Sequence, residues 1–172
     1  MDDVDVAHLA GVFDAAGRLT TRVRQADTAV GYRLDPLVRL RRPSSERALL
    51  GKLAAYCRGR DVRYDIVEDT AGAADGLDTW RLEITDPESV RDFLEPMAPY
   101  LVARRTPAAI LLDKIVPVLV DGGEPTKTEF HRLVGYADKL RAHEAAAGGG
   151  PESEPQYTQE FFEDLWYDDL ER

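Results

Sequence analysis

The chain has 172 residues, enough for one buried core and too few for two ordinary domains. Cys57 is its only cysteine, which excludes both a disulfide framework and a multi-thiolate metal site within one chain. The formal charge of −10, taken as a total, argues against a nucleic-acid partner.

The start, Met1-Asp2-Asp3-Val4-Asp5, is acidic where a secretory leader would be basic and then apolar. No apolar run approaches a membrane span, so a cytoplasmic protein that meets no membrane is the expectation. A first helix is predicted over residues 5–16, where Val6, Leu9, Ala10 and Phe13 recur at i, i+3, i+4 and i+7. A second row on that helix, Ala7, Gly11 and Ala15, holds only small residues four apart, which lets another helix approach closely. Gly17 is expected to stop it.

Two strands follow. In residues 18–25, Leu19, Thr21 and Val23 alternate with Arg18, Thr20, Arg22 and Arg24. Further on, Leu34, Val38 and Leu40 alternate with Arg33, Leu37, Arg39 and Arg41. Period-2 alternation describes half-buried antiparallel strands, here with one apolar face and one largely of arginine. Residues 18–42 carry seven arginines against Asp27 and Asp35, a net of +5 inside an acidic chain.

A second helix opens at Pro43-Ser44-Ser45, buries Leu49, Leu50, Leu53, Tyr56 and Cys57, and ends at Arg60-Asp61. Strands are predicted at 62–68, with Val62, Tyr64 and Ile66 as the apolar row, and at 79–85, with Trp80, Leu82 and Ile84; 69–78 is the connecting loop. Asp86-Pro87-Glu88 starts a helix with Val90, Phe93, Leu94 and Met97 inward. Thr106-Pro107 repeats the signal ahead of Ile110, Leu111, Ile115 and Val118. Thr126-Lys127-Thr128-Glu129 is a capping box before Phe130, Leu133, Val134 and Ala137. The order α-β-β-α-β-β-α, plus two further helices, implies an α+β fold: an antiparallel sheet with helices on one face.

Gly148-Gly149-Gly150-Pro151 breaks the pattern, dividing the chain into a body at 1–147, a flexible linker at 148–156 and an acidic aromatic segment at 157–172. Residues 151–172 hold eight acids against Arg172, a net of −7, which leaves −3 for the rest. Phe162, Leu165, Trp166 and Leu170 form an apolar stripe among them. Three roles fit: docking on its own body or a partner subunit, binding another protein as an amphipathic helix, or lying on the arginine face as a competitor of its ligand. Eighteen arginines beside four lysines, with many acids, is the surface composition of proteins from salt-loving microbes. His8, His131 and His143 show no ligand spacing with one another or with Cys57, and no phosphate loop, nucleophile elbow or dinucleotide fingerprint occurs.

Leu9-Ala10-Gly11-Val12-Phe13-Asp14-Ala15-Ala16-Gly17 resembles the signature of the LAGLIDADG homing endonucleases, with six of nine positions identical and Val12 and Phe13 still apolar. The order of elements over about residues 5–100 is similar to that family's, as is the segment from Pro99-Tyr100-Leu101 through Arg104-Arg105 to Ala108-Ala109, so the resemblance covers roughly residues 5–140. It implies a saddle-shaped sheet that tracks the DNA major groove, a form a β-ribbon suits. It also implies that the motif helices of two copies pack together, which for a single-motif chain means a homodimer with Ala7, Gly11, Asp14 and Ala15 at the interface.

Cleavage in the family depends on the acid at the eighth motif position, where two such carboxylates hold divalent metal. Ala16 stands there and has no oxygen to offer. Asp14 lies two residues earlier, about 200° around the helix, and is expected to be structural. The family lysine near the cleaved phosphate is also missing: none occurs between Lys52 and Lys114, and Arg63 or Arg81 would have to serve as phosphate binders. The resemblance thus implies double-stranded DNA binding through Arg18, Arg22, Arg24, Arg33, Arg39, Arg41, Arg63 and Arg81, with no cofactor, no metal site and no catalytic residue. Two alternatives stand beside it: a Mg-dependent DNA endonuclease with an unusual ligand, and a protein-interaction or RNA-maturation factor on the same fold.

Overall fold

A computed structural model describes residues 3–69, 79–147 and 156–170. The chain opens with α1 (Asp3–Ala16), which buries Val6, Leu9, Ala10 and Phe13 as the periodicity requires. Gly17 does not act as a left-handed stop, since only Gly31 and Gly123 among the described glycines have positive φ. Its role is proximity: a Cβ there would sit 2.3 Å from the ring of Phe13, so the turn from helix to strand needs a residue without one. Strands β1 (Gly17–Gln25) and β2 (Tyr32–Pro43) then form a hairpin. Its loop, closed by Ala26 N donating to the Gly31 carbonyl, uses Gly31 at φ +76°.

Helix α2 (Arg47–Arg58) follows a short 3-10 turn at Ser44–Glu46 and ends where the Val62 amide donates to the Cys57 carbonyl. That bond corrects one expectation. Val62 and Arg63 belong to the exit from α2, with the Arg63 amide donating to Ser89 Oγ at 3.0 Å, so β3 begins three residues late and runs Asp65–Asp69. β4 (Thr79–Ile84) pairs with it, and most of the expected loop at 69–78 lies outside the described residues. The sheet is antiparallel throughout, in the order β1-β2-β4-β3.

Asp86 caps α3 (Pro87–Leu94), accepting from Ser89 N at 2.9 Å with proline at the first turn. The next helix starts at Arg105 rather than after Thr106. α4 (Arg105–Ile110) widens into a π turn at Leu111–Ile115 and continues as α5 (Val116–Asp121). Pro117 has no N–H for the carbonyl one turn back, and the helix relaxes just ahead of it. The capping box at Thr126 and Glu129 starts α6 (Lys127–Ala146), which packs along the outer edge of β1.

The core lies between the apolar sheet face and the helices. Phe93 of α3 is its hub: Phe13 and Tyr56 meet it edge-on at 5.5 and 5.6 Å, and the Tyr56 hydroxyl donates to its carbonyl. Cys57 is buried there, its thiol pushed up to about 12 by burial.

The C-terminal residues are part of this core. α7 (Gln159–Leu165) and α8 (Tyr167–Leu170) pack on α6, with Phe162 and Trp166 buried. Phe162, Trp166 and Leu170 of the expected stripe therefore lie on the chain's own body and not on the arginine face, while Leu165 is exposed. The linker expected at 148–156 falls almost wholly outside the described residues. Among the described residues, no helix is long and apolar enough to cross a membrane.

Candidate nucleic-acid interface

Register fixes which side chains share the face turned from the helices. Across β1 and β2, Arg18 stands opposite Arg39, Thr20 opposite Leu37, Arg22 opposite Asp35 and Arg24 opposite Arg33. Across β2 and β4, Arg39 faces Glu83 and Arg41 faces Arg81; across β4 and β3, Glu83 faces Asp65 and Arg81 faces Val67. Seven of the eight predicted arginines thus lie on one face. Arg22, Arg24, Arg33, Arg41 and Val67 are exposed on it.

The arginines divide into two groups. At the hairpin end, Asp35 accepts from Arg24 Nε at 2.8 Å and Arg33 Nε at 2.7 Å, a two-armed fork beside Arg22. These side chains, with Leu37, Thr85 and Asp86, line a concavity of about 410 Å³. In mid-sheet, Glu83 holds Arg39 Nε at 2.6 Å and Arg81 Nε at 3.1 Å, and Arg41 donates to Thr79 Oγ1 at 3.2 Å. Between the groups runs an uncharged strip, Thr20 and Leu37. Like charges directly opposite on a sheet repel, and Arg24–Arg33 and Arg41–Arg81 are two such pairs. Each group sets three arginines against two carboxylates, Asp35 and Asp86 at the hairpin end and Glu83 and Asp65 in mid-sheet, which leaves both net positive.

Two predicted residues stand apart. Arg63 is not on the sheet: it sits before β3, 3.0 Å from Asp86 Oδ1 and 3.6 Å from Glu88 Oε2 at the start of α3. Arg18 shares the face but is drawn to its edge, 3.5 Å from the buried Glu144 of α6. Glu144 also contacts Arg104 at 3.4 Å and accepts from the Leu19 amide, fastening α6 to β1 and to the start of α4.

The outer side of α1 is the other open surface. Gly11 and Ala15 are exposed and Ala7 half-buried, while Val4 is exposed in the same stripe. Nothing lies within 4 Å of where a Gly11 Cβ would be. Asp14, on the same helix, bonds to its own chain, the structural part expected of it. Its carboxylate accepts from the Val102, Ala103 and Arg104 amides at 3.0, 2.9 and 2.7 Å, so α1 fastens the turn that leads into α4, whose first turn has no side-chain cap from Thr106 or any other described residue. Burial raises its pKa, and the three amides with the Arg104 charge more than offset this, holding the carboxyl below 3.8.

A divalent metal does not fit the end of α1. Ala16 supplies no oxygen and both Asp14 oxygens are engaged. Among the described residues no three His, Cys, Asp or Glu side chains gather as a ligand set.

Sequence reasoning missed the acceptors. Asp35 was findable, since period 2 puts it on the face of Arg33, but Glu83 meets Arg39 only through the β2–β4 register. Nothing local marks Glu144 as buried.

The sequence matches no known family profile and no curated protein sequence. Solved structures do match. One is the homing endonuclease I-CvuI in complex with its target, at TM-score 0.75 and 16% identity over 96% of this chain and 94% of that one. The group I intron-encoded homing endonuclease I-CeuI complexed with DNA gives 0.73 and 14% identity, over 94% of this chain and 75% of that one. The LAGLIDADG meganuclease I-CpaMI bound to uncleaved DNA gives 0.62 and 16%, over 89% of this chain but only 52% of that one. The chain has the LAGLIDADG homing-endonuclease fold.

Proposed function

We propose that this protein binds double-stranded DNA as a homodimer through the arginine-bearing face of its sheet, without cutting it, as a regulator or architectural factor. The observation that carries this reading is the sheet face itself: seven arginines aligned by strand register on one face, six of them away from the edge where Arg18 meets α6, in a fold whose solved neighbours include DNA-bound endonucleases. The dimer is supported by the outward row Ala7, Gly11 and Ala15, and by the way the chain spans 94% of one neighbour but 52% of another. The absence of cutting is supported by Ala16 and by the capture of Asp14 in its own chain.

Duplex binding measured against salt is the primary test. A slope of log affinity on log salt corresponding to several phosphates supports DNA as the ligand; no salt-dependent binding sinks it. The lysine-poor, acidic composition fits a salt-rich host, so the series extends to molar salt.

Gly11→Leu tests the seam. It replaces a poor helix former by a good one where nothing crowds it, so the monomer is expected to melt no lower than wild type. The dimer and its DNA binding are expected to be lost together. A Gly11→Leu protein that still sediments as a dimer and binds DNA normally removes α1 as the interface. Mg-dependent nicking of plasmid by wild type would favour the endonuclease alternative.

A further inference from the structure

The hairpin end is the least supported part of the sheet. β4 pairs with β2 only from Val38 to Pro43, so the stretch from Tyr32 to Leu37 is bonded to β1 alone. Arg22, Arg24, Arg33 and Asp35 all stand on this two-stranded ribbon. Such a ribbon is marginal in water unless something packs on its back.

What packs there is the C-terminal segment. Tyr32, the first residue of β2, points to the side opposite Arg33. Its ring lies 4.9 Å from Phe162, 5.2 Å from Tyr157, 6.2 Å from Trp166, 6.3 Å from Phe161 and 6.4 Å from Phe130. Four of these five rings come from residues 157–166. The segment is itself fastened to α6: the Gln159 amide donates to Asp138 Oδ2 at 2.9 Å, His131 Nε2 meets Glu163 at 3.2 Å, and Lys127 Nζ meets Asp169 at 2.6 Å. Phe162 is fully buried between them.

We propose that Tyr32, caged by the C-terminal aromatic segment, is a positioning residue for the DNA-facing arginines: the segment buttresses the ribbon from behind and thereby sets the Arg24–Asp35–Arg33 fork, touching no DNA itself. This rests on the DNA reading above. It assigns the acidic tail a task its charge would not suggest, because the apolar stripe is what acts, while Glu163 and Asp169 pair with α6. The remainder of the sheet does not depend on it, since there β2 lies between two strands.

The test uses the full-length protein. Tyr32→Ala is expected to speed amide hydrogen exchange of residues 22–35 at least about tenfold while the amides of α1 and α3 stay protected, and to weaken duplex binding about tenfold. The conservative Tyr32→Phe, which keeps every ring contact, restores both. A merely structural role would make the binding loss independent of the fork, so the decisive readout is a cycle. Added to Arg24→Gln/Arg33→Gln, Tyr32→Ala is expected to cost less than about twofold further. Should Tyr32→Ala fail to fold, Trp166→Ala, at the rim of the same cluster, takes its place in every arm. Unchanged hairpin exchange, or a full tenfold loss in the fork-less background, overturns the proposal. If wild type shows no salt-dependent duplex binding, the DNA reading falls, and the exchange data alone decide whether the segment buttresses the ribbon.

Discussion

Two arginine forks on one sheet face are built alike and sit in different surroundings. At the hairpin end, Asp35 holds Arg24 and Arg33, whose side chains are each 56% exposed. In mid-sheet, Glu83 holds Arg39 and Arg81, which are 16% and 28% exposed. The first fork holds its guanidiniums in water on two strands; the second has them half-covered and ties β2 to β4, while the acids, Asp35 at 13% and Glu83 at 14% exposed, are equally covered. Pairing with an acid therefore does not separate a binding arginine from a structural one. Depth does. An exposed ion pair contributes about 0–1 kcal/mol, because water and salt screen it, and its guanidiniums can exchange a carboxylate for a phosphate at little cost. A partly desolvated fork that loses its carboxylate leaves two cations facing each other with less water to receive them.

The contrast is broken most directly at the outer fork. Arg24→Gln/Arg33→Gln removes four charges from the proposed dimer, so the salt slope of DNA binding is expected to fall by about 3–4 and the affinity by about a hundredfold near 0.2 M salt. Its melting should stay within about 0.5 kcal/mol of wild type. A larger drop in stability would make the outer fork structural and erase the distinction. The inner fork should behave oppositely. Glu83→Gln is expected to cost about 2 kcal/mol, seen as a melting point lower by about 4–8 °C. DNA affinity, measured well below that melting point, should rise by no more than about threefold.

The division between the forks was only half visible in the sequence, and the reason is physical. Alternation along a strand is local, so the arginine faces of residues 18–25 and 33–41 could be read directly. So could the caps at Asp86 and Thr126, where the signal and its consequence lie within four residues. Register between strands is not local. Nothing near Glu83 announces that it meets Arg39, and nothing near Thr106 announces that the turn ahead of α4 is held from α1 by Asp14. The C-terminal segment was legible as an amphipathic stripe, and its position was not, because Tyr32 and Phe162 meet across most of the chain. Arg63 was grouped with the sheet arginines on the strength of a strand that begins after it. The bond from its amide to Ser89, which moves the strand, again spans two elements.

Asp14 extends the comparison to a carboxylate that accepts backbone amides in place of guanidiniums. Asp14→Asn is expected to cost about 1 kcal/mol at neutral pH, the usual worth of a charged cap. The sign of its pH dependence follows from the lowered pKa. The folded carboxyl titrates below the unfolded one, so its contribution is fully present above about pH 4. It is lost as the pH falls through the lowered folded value. Wild type and Asp14→Asn should therefore converge in stability below about pH 4, followed by denaturant melts at fixed ionic strength. A gap that persists unchanged into strong acid would mean that Asp14 acts by shape rather than charge.

The smallest expected effect tests the outer fork from its acid. Asp35→Asn keeps the size and one acceptor oxygen of the side chain but removes its charge, so the pairs with Arg24 and Arg33, exposed at their guanidinium ends, lose chiefly a screened Coulomb attraction. Stability should change by less than about 0.5 kcal/mol. For the proposed DNA binding the sign reverses, because the carboxylate would repel phosphate and compete for both guanidiniums. With two negative charges removed from a dimer, affinity is expected to rise about threefold at low salt and to return to the wild-type value at high salt, as screening requires. The two outcomes are linked through geometry as well as charge. If Asp35 also holds the arms apart so that both reach a ligand, Asp35→Asn will bind more weakly at every salt concentration while melting normally. The fork would then be aimed by its own acid in front as well as by Tyr32 behind, and a melting curve together with a salt titration distinguishes that from simple charge removal.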